Sequence, residues 1–370
     1  MRFLLLSFLF FTVVGLNAQS ARETTLTGKV YRPLDTLLLA KRVDDLRYQH
    51  TLIPVGPDST FTYTILAGSV EEYRLAFKSE FDKGAYRTLD FFGDSDRIVF
   101  ELYTNEAWES NTVTGSPYTA LRNTFRNELI ERWEPAFIQL QETVRQTTDE
   151  AKAKALSDSL QLQVMQWKHK QLEGYPIEIR LSNHYDDLED FRGNEMVKPV
   201  LEAHHRYWSA QPRPNGMSEI LDAFYTAQVE GVTGQRLIDF YLYGSEGDSS
   251  LVSGELRKGG FLLLDLWAPW CGPCLQKSKE VKGQLAQLKA NSVSVVGVLG
   301  GIKTDAEFEK GKARFAYPWP VYPEVNGRQK IWIKYGFERA GGGQVLIDGS
   351  GNILAVNPTV SEVLEMTGAR

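Results

Sequence analysis

The 370-residue sequence contains little cysteine: Cys271 and Cys274 are its only two. An exported protein that is stapled by structural disulfides usually has several pairs spread along the chain, whereas these two lie three positions apart. Closing so short a loop restricts the unfolded chain little, which argues against a purely stabilising bridge. The scarcity of cysteine therefore predicts that this pair has a chemical task.

Other metal ligands are also scarce. The five histidines, at positions 50, 169, 184, 204 and 205, all precede the cysteines, and a zinc site needs about four ligands. Half a zinc site and a disulfide inherited without activity remain as alternatives for the pair. Adjacent residues on a helix do not share a face, so we interpret His204 and His205, with His184, as core or surface residues. We predict no metal, and no cofactor beyond a redox-active Cys271–Cys274 disulfide.

The sequence has neither a block of like charge nor a low-complexity run. Its formal net charge is -6, and Lys and Arg are scattered among the acidic residues, so we exclude a nucleic-acid-binding surface. Hydrophobic residues make up 42% and charged residues 24%, as in folded globular proteins. A chain of this length has room for two or three domains, and we predict a multidomain protein.

The N-terminus has the pattern of a signal peptide over residues 1–18. Arg2 precedes an almost unbroken apolar run over 3–16, and Asn17-Ala18-Gln19 offers a small-residue cleavage site. The run is shorter than the roughly 20 residues that span a bilayer. An uncleaved anchor remains the alternative. We expect a soluble mature protein that is periplasmic or secreted.

Residues 22–115 alternate apolar and polar positions in short runs that are separated by turn residues. This pattern predicts an antiparallel, sandwich-like β domain, with strands at 25–31, 36–40, 60–66, 73–77 and 97–102.

Residues 116–232 change to apolar spacings of three and four, which predict a helical middle domain. Two long runs, 121–144 and 150–172, carry this spacing. Pro135 should kink or end the first helix. The loop at 211–216, rich in Pro and Gly, should separate two later helices.

From residue 234 to 370, predicted strands and helices alternate, which favours a mostly parallel sheet with crossover helices. Strands are predicted at 261–267 and 293–299, helices at 275–290 and 305–315, and a final hairpin at 344–347 and 353–356. This order resembles the core of a thioredoxin, an α/β fold.

The cysteine spacing suits thiol–disulfide exchange, which needs an attacking thiolate and a second thiol that resolves the mixed disulfide. At the start of a helix, Cys271 would be stabilised as a thiolate by free N–H groups and the helix dipole. Cys274, one turn further along, would be more buried and would act as the resolving thiol. Pro273 is compatible with a first helical turn, where its missing N–H is not needed.

The stretch 263–274 (LLDLWAPWCGPC) resembles the active-site segment of thioredoxins. Residues 234–370 as a whole resemble the exported TlpA and ResA type, whose leading hairpin is matched by Asp239, Phe240, Tyr241, Leu242, Gly247, Leu251, Leu256, Lys258 and Gly259. Residues 22–115 more loosely resemble a small β domain that precedes such modules in bacterial envelope proteins.

The resemblance implies an enzyme, a thiol–disulfide oxidoreductase that acts on disulfides of exported proteins, more as a reductase than as an oxidase, and is fed by a membrane electron donor. Asp265 matches the buried aspartate of thioredoxins, which relays a proton to or from the resolving cysteine. A structural acid paired with a lysine is the alternative for this position. Trp270, Gly272, Pro273 and Gly342 are the implied substrate-binding residues.

Three departures from the TlpA and ResA pattern bear on substrate choice and redox potential. Lys277 stands where relatives commonly carry Glu, and Lys279 where many carry Pro. The cis-proline that faces the cysteines falls on the glycine run 341–343, with Gly342 as its counterpart.

Two competing functions remain open. A peroxiredoxin would have a Pro-x-x-x-Thr/Ser-x-x-Cys pattern, but Leu264 and Ala268 occupy its Pro and Thr/Ser positions. The chain could also be a non-catalytic envelope binding or scaffold protein with a relic thioredoxin core. The sequence predicts neither the physiological substrate nor the oligomeric state.

Overall fold

The computed structural model describes residues 22–31, 35–191, 194–211, 215–244, 248–337 and 340–368. These residues form fifteen strands and eleven α-helices, besides two short 3₁₀ helices and one π-helical turn. The predicted signal peptide and Pro212–Pro214 of the predicted loop lie outside the described residues. In the described part of the chain, no helix is both long and apolar enough to cross a membrane.

The N-terminal region folds into two four-stranded sheets, ordered β4-β1-β7-β8 and β3-β2-β5-β6. Alternating burial along β4 and β7 puts one face of each strand inside, as expected for half-buried strands. Side chains from both sheets meet in one apolar core that includes Leu26, Leu37 and Phe91. The bounds are β1 Arg22–Val30, β2 Thr36–Lys41, β3 Thr51–Pro54, β4 Thr60–Ala67, β5 Glu72–Phe77, β6 Leu89–Phe92, β7 Arg97–Leu102 and β8 Thr112–Thr114, with helix α1 Lys78–Asp82.

The expectation of a purely antiparallel β region was wrong at one pair. Strands β1 and β7 are parallel, with Leu26 opposite Ile98. Five predicted runs correspond to β1, β2, β4, β5 and β7. The short strands β3, β6 and β8 were missed because three or four residues give too little alternation to detect.

The middle region is helical, with α2 Pro117–Gln146, α3 Glu150–Leu172, α4 Ile177–Asp190, α5 Lys198–Ser209 and α6 Gly216–Tyr225. Helix α2 begins where the Ser116 hydroxyl accepts a hydrogen bond from the Thr119 N–H, 3.1 Å away, as an N-cap. Helix α2 runs through Pro135, so a helix end at this residue was wrong, whereas a kink there stays a prediction. Pro135 and Glu131 are exposed, so water can bind the carbonyl of Glu131 that the proline leaves without a partner.

The C-terminal region contains a five-stranded sheet ordered β13-β12-β11-β14-β15. Strand β11 pairs in parallel with β12 and antiparallel with β14, and a crossover helix follows β11, which is a thioredoxin-like arrangement. The predicted strands, the final hairpin and the leading hairpin β9–β10 are confirmed. The bounds are β9 Tyr241–Tyr243, β10 Ser249–Leu251, β11 Phe261–Trp267, α7 Gly272–Gly283, α8 Leu285–Ala290, β12 Val293–Ile302, α9 Asp305–Phe315, β13 Val321–Val325, α10 Ile331–Lys334, β14 Gly343–Asp348, β15 Ile353–Val356 and α11 Val360–Gly368.

The C-terminal region differs from the prediction in its sheet, in one helix and at one sheet edge. The sheet is mixed and not mostly parallel, because β14 pairs antiparallel with both β11 and β15 while β12 pairs in parallel with β11 and β13. The helix expected over 275–290 divides at Gln284, whose φ of -111° and ψ of 12° are not helical. Gly283 immediately precedes this break and is a poor helix former. Edge strand β13 was not predicted, since Pro323 within it is more typical of turns and sheet edges.

Ion pairs connect the segment between β2 and β3 to the other two regions. Arg42 donates hydrogen bonds to Asp186 (2.8 Å) and Glu189 (2.6 Å) of helix α4. Lys330, just before α10, donates to Asp44 at 2.6 Å. These contacts hold the segment beside the C-terminal ends of β11 and β12, the edge of the sheet where the cysteines lie.

Candidate active site

Cys271 and Cys274 form a disulfide at the N-terminus of helix α7, with their Cα atoms 5.3 Å apart. Cys271 is the N-cap residue, and Pro273 lies in the first helical turn. The backbone N–H of Cys274 donates to the Sγ of Cys271 at 3.3 Å. An N–H directed at this sulfur would stabilise a thiolate there after reduction.

The sequence predicted that Cys274 is more buried than Cys271, but the structure buries both cysteines to nearly the same degree. Cys271 is 7% exposed and Cys274 is 6% exposed in the disulfide form. Gly341 contributes to the cover of Cys271, since a Cβ atom at this glycine would lie 2.7 Å from the Cys271 Sγ. The position of Cys271 at the helix end, and not a difference in exposure, therefore distinguishes the sulfurs.

Asp265 lies near the end of β11, 1% exposed, behind the cysteine helix. Ser278 Oγ donates to one carboxylate oxygen at 2.8 Å, and Gln344 Nε2 donates to the other at 3.0 Å. Within the described residues no cation forms an ion pair with it, so the lysine-paired alternative lacks support. Burial raises the pKa of Asp265 to about 6, against the lowering effect of its two hydrogen bonds and of Lys277.

Ser278 and Gln344 were not recognised in the sequence. Ser278 follows Cys274 by four residues, and its hydroxyl also contacts the Cys274 carbonyl oxygen at 3.1 Å. The i, i+4 spacing could have indicated this contact. Gln344 faces Asp265 only because β14 pairs with β11 in that register, which the sequence does not specify.

If Asp265 relays a proton for the second cysteine, as the resemblance implies, the Asp265→Asn variant is expected to exchange disulfides about 10- to 100-fold more slowly, because an amide cannot take part in that relay. The fold should persist. The amide oxygen can accept from Gln344, and the amide nitrogen can donate to Ser278 Oγ, which can donate in turn to the Cys274 carbonyl. Stopped-flow rates across pH 5 to 9 should show a titration near pH 6 in the wild type that is absent from the variant, while the ionisation of the Cys271 thiol affects the rate of both. An unchanged rate profile would make Asp265 structural.

The same variant should be more stable than the wild type at pH 7. A carboxyl group whose pKa is about 6 when folded and about 3.9 when unfolded binds more protons in the folded state between these values. The free energy of unfolding therefore falls as pH rises from about 4 to about 6, by at most about 3 kcal/mol. Asparagine does not titrate, so urea unfolding should show that the variant is more stable than the wild type at pH 7 but not at pH 4.

Trp270, the residue before the first cysteine, is 53% exposed and contacts the N-terminal region. Its Nε1 donates to the hydroxyl of Tyr48 at 3.1 Å. The Arg47 guanidinium lies 5.3 Å from the centroid of a Trp270 ring, within cation–π distance. Tyr48 and Arg47 precede Trp270 by more than 200 positions, so no local pattern could have identified them.

The glycine run 341–343 passes the disulfide and enters strand β14, whose first residue is Gly343. Gly341, not Gly342, is the glycine that packs on Cys271. Gly342 has a φ of 145°, and a Cβ atom there would overlap the Leu266 carbonyl oxygen. Proline requires a φ near -65°, so this backbone does not accept a Gly342→Pro replacement. The substrate-binding role of Gly342, like those of Gly272 and Pro273, stays a prediction.

Four of the five histidines converge in the helical region, which the sequence analysis did not predict. His184 contacts the rings of His204 and His205, and His169 contacts that of His204. His184 is 1% exposed, and both of its ring nitrogens lack a hydrogen-bond partner among the described residues. In the described ranges no group of three or more acidic, His or Cys side chains has a geometry that could hold a metal ion.

This cluster should make the protein less stable in acid. Burial holds the pKa of His184 well below its usual value and lowers that of His204 to about 3, although Asp187 opposes both shifts. The unfolded chain therefore binds more protons below pH 6.5, and each further pH unit lowers the free energy of unfolding by up to about 1.4 kcal/mol per buried histidine. Denaturant titrations from pH 7.5 to 4.5 should show that the free energy of unfolding falls less in His184→Leu than in the wild type. If the free energy of unfolding falls equally with pH in both proteins, His184 is not a source of the acid sensitivity.

No family model matches the sequence, and no curated protein matches it. Solved structures resemble a part of the chain that amounts to little more than a third of its length. The thioredoxin domain of a thiol-disulfide oxidoreductase from Bacteroides vulgatus is 15% identical, with 37% of this chain and 95% of that chain covered and a TM-score of 0.33. A putative thiol:disulfide interchange protein from Chlorobium tepidum is 28% identical, with 36% and 94% covered and a TM-score of 0.31. A Bacteroides thiol:disulfide interchange protein is 16% identical, with 36% and 86% covered and a TM-score of 0.32.

Proposed function

We propose that this chain is a thiol–disulfide oxidoreductase that uses Cys271 and Cys274 on disulfides of exported proteins. The observation that carries the proposal is the CxxC disulfide at the N-terminus of helix α7, with a backbone N–H directed at the first sulfur. The buried carboxyl group of Asp265, whose pKa is about 6, supports it, because proton transfer near neutral pH is what the resolving step requires.

In the reducing direction, the Cys271 thiolate attacks one sulfur of a target disulfide, and the other target sulfur leaves as a thiolate. Cys274 then loses its proton, with Asp265 as the acceptor, and attacks the Cys271 sulfur. This second step releases the remaining target thiol and forms the Cys271–Cys274 disulfide. The target gains two electrons and the cysteine pair loses two, so a dithiol donor must reduce the pair for the next turnover. We assign that role to a membrane electron donor.

The direction of electron flow can be tested by redox titration of the full chain without residues 1–18. We propose a reductase, for which a reduction potential near about -270 mV is expected, whereas an oxidant would lie near about -120 mV. A potential near the second value would overturn the reductase assignment while leaving the exchange chemistry in place.

Exchange activity itself is tested by reduction of insulin with dithiothreitol as donor. The wild type should accelerate insulin precipitation, and the Cys271→Ser/Cys274→Ser double variant should match the rate without protein. If the wild type also gives no acceleration, and reduces no other protein disulfide, the alternative of a non-catalytic scaffold is favoured.

A further inference from the structure

A cavity of about 520 Å³ is lined in part by Trp270, the residue before Cys271, and the exchange chemistry leaves this cavity unassigned. One wall is the segment 43–49 between β2 and β3, and the opposite wall includes Ala268, Trp270 and Ala340. Trp270 precedes Cys271 in the sequence, and Ala340 precedes Gly341, which packs on the Cys271 sulfur. The cavity therefore opens beside the attacking cysteine.

The charges that line this cavity cancel. Three cationic and three anionic side chains contribute to it: Arg47, Arg74 and Lys330, and Asp44, Asp45 and Glu189. Lys330 pairs with Asp44 at 2.6 Å, and Arg47 pairs with Asp45 at 2.7 Å. Because these cations already have partners and the formal charges sum to zero, the cavity offers no net field that would select a charged ligand.

Aromatic and aliphatic side chains form much of the remaining lining, including Leu46, Tyr48, Tyr86, Tyr185, Trp270 and Trp332. The hydrogen bond from Trp270 to the Tyr48 hydroxyl joins the two walls at the opening. A concave apolar site of a few hundred Å³ is suited to a bulky uncharged group. The lining thus favours an aromatic or large aliphatic side chain.

We propose that the cavity receives an aromatic or large aliphatic side chain that adjoins the cysteine of a polypeptide substrate. The proposal rests on the exchange function proposed above. Successive residues of an extended chain lie about 3.3 to 3.6 Å apart. A substrate sulfur at Cys271 would therefore bring its neighbouring side chain to Trp270 and Ala340. The N-terminal region, through segment 43–49, thereby contributes to substrate choice.

The test compares three short peptides in which Cys is flanked on both sides by Phe, Gly or Glu, each as a mixed disulfide with thionitrobenzoate. Attack of the reduced protein on the peptide sulfur releases coloured thionitrobenzoate. Burial of one aromatic side chain should raise the second-order rate constant of thionitrobenzoate release for the Phe peptide at least about ten-fold over the other two. Ala340→Trp, which adds bulk at an exposed position on the cavity wall, should reduce this preference to about two-fold or less.

Ala286→Trp is the matched control, because Ala286 is exposed on helix α8 and does not line the cavity. This control should retain the preference for the Phe peptide. Tyr48→Ala removes one aromatic side chain from the cavity wall and, like Ala340→Trp, should lower the preference for the Phe peptide. This second cavity variant keeps the test valid if Ala340→Trp does not fold. Equal second-order rate constants for all three peptides in the wild type, or an undiminished preference in both cavity variants, would overturn the cavity assignment alone. Failure to release thionitrobenzoate from any peptide would instead overturn the exchange function.

Discussion

The Cys271→Ser variant is expected to lose disulfide exchange by at least about 1,000-fold, because a hydroxyl cannot replace the thiolate that begins the reaction. The backbone geometry should survive, since serine is a favourable N-cap residue and Cys271 occupies that position in helix α7. The measurement is the rate of insulin reduction, with a thermal melt to show that the variant is folded.

The Cys274→Ser variant should behave differently, although it is also inactive over full turnovers. Attack by Cys271 still occurs, but the mixed disulfide cannot be resolved, so partner proteins should accumulate on the variant and be released by dithiothreitol. Cys271→Ser should trap almost none. Because both cysteines are buried to a similar degree in the disulfide form, this result depends on the position of Cys271 at the helix end and on the Cys274 N–H that is directed at its sulfur. Equal trapping by both variants, or alkylation of the reduced protein at Cys274 first at neutral pH, would contradict the assignment of Cys271 as the attacking cysteine.

The Gly342→Ala variant is expected to lower the free energy of unfolding by about 3 kcal/mol, measured by urea denaturation. The φ of 145° at Gly342 is one that residues with a side chain rarely adopt. The added Cβ atom would also overlap the Leu266 carbonyl oxygen, and this oxygen belongs to the central strand β11, which cannot move without disturbing both neighbouring strands.

Gly283→Ala provides the matched control. A Cβ atom at Gly283 meets no other atom within 4 Å, and the residue ends helix α7. Alanine at this position should leave the free energy of unfolding unchanged or raise it by up to about 1 kcal/mol, since alanine is a better helix former than glycine. If the Gly342→Ala and Gly283→Ala variants unfold at the same urea concentration, Gly342 does not have a φ of 145°.

Most regular elements could be predicted because each carries its pattern within its own residues. Strand β7, Arg97–Leu102, alternates buried and exposed positions along its length, and strand β11, Phe261–Trp267, is apolar throughout. The helix end expected at Pro135 was wrong because proline was treated as a breaker regardless of exposure. In an exposed helix, water can satisfy the carbonyl that proline leaves free.

The candidate site was predicted only in part. Cys271, Cys274 and Asp265 are close in sequence on one strand and the following helix, so a local motif identifies all three. Gln344, which donates to Asp265, comes from strand β14, about eighty residues later. Likewise, the histidine cluster draws on three helices, and its members become neighbours only through helix packing.

By itself the sequence determined the cysteine pair at a helix start, the buried acid six residues before it and the alternating strands and helices around them, because these depend on spacing and side-chain type. The tertiary structure alone decided that both sulfurs are nearly equally buried, that Gly341 covers Cys271 and that Tyr48 bonds to Trp270. The physical reason is that burial and the pKa of a buried acid depend on the atoms that surround a group in space. Those atoms come from strands and loops that lie far apart in the chain.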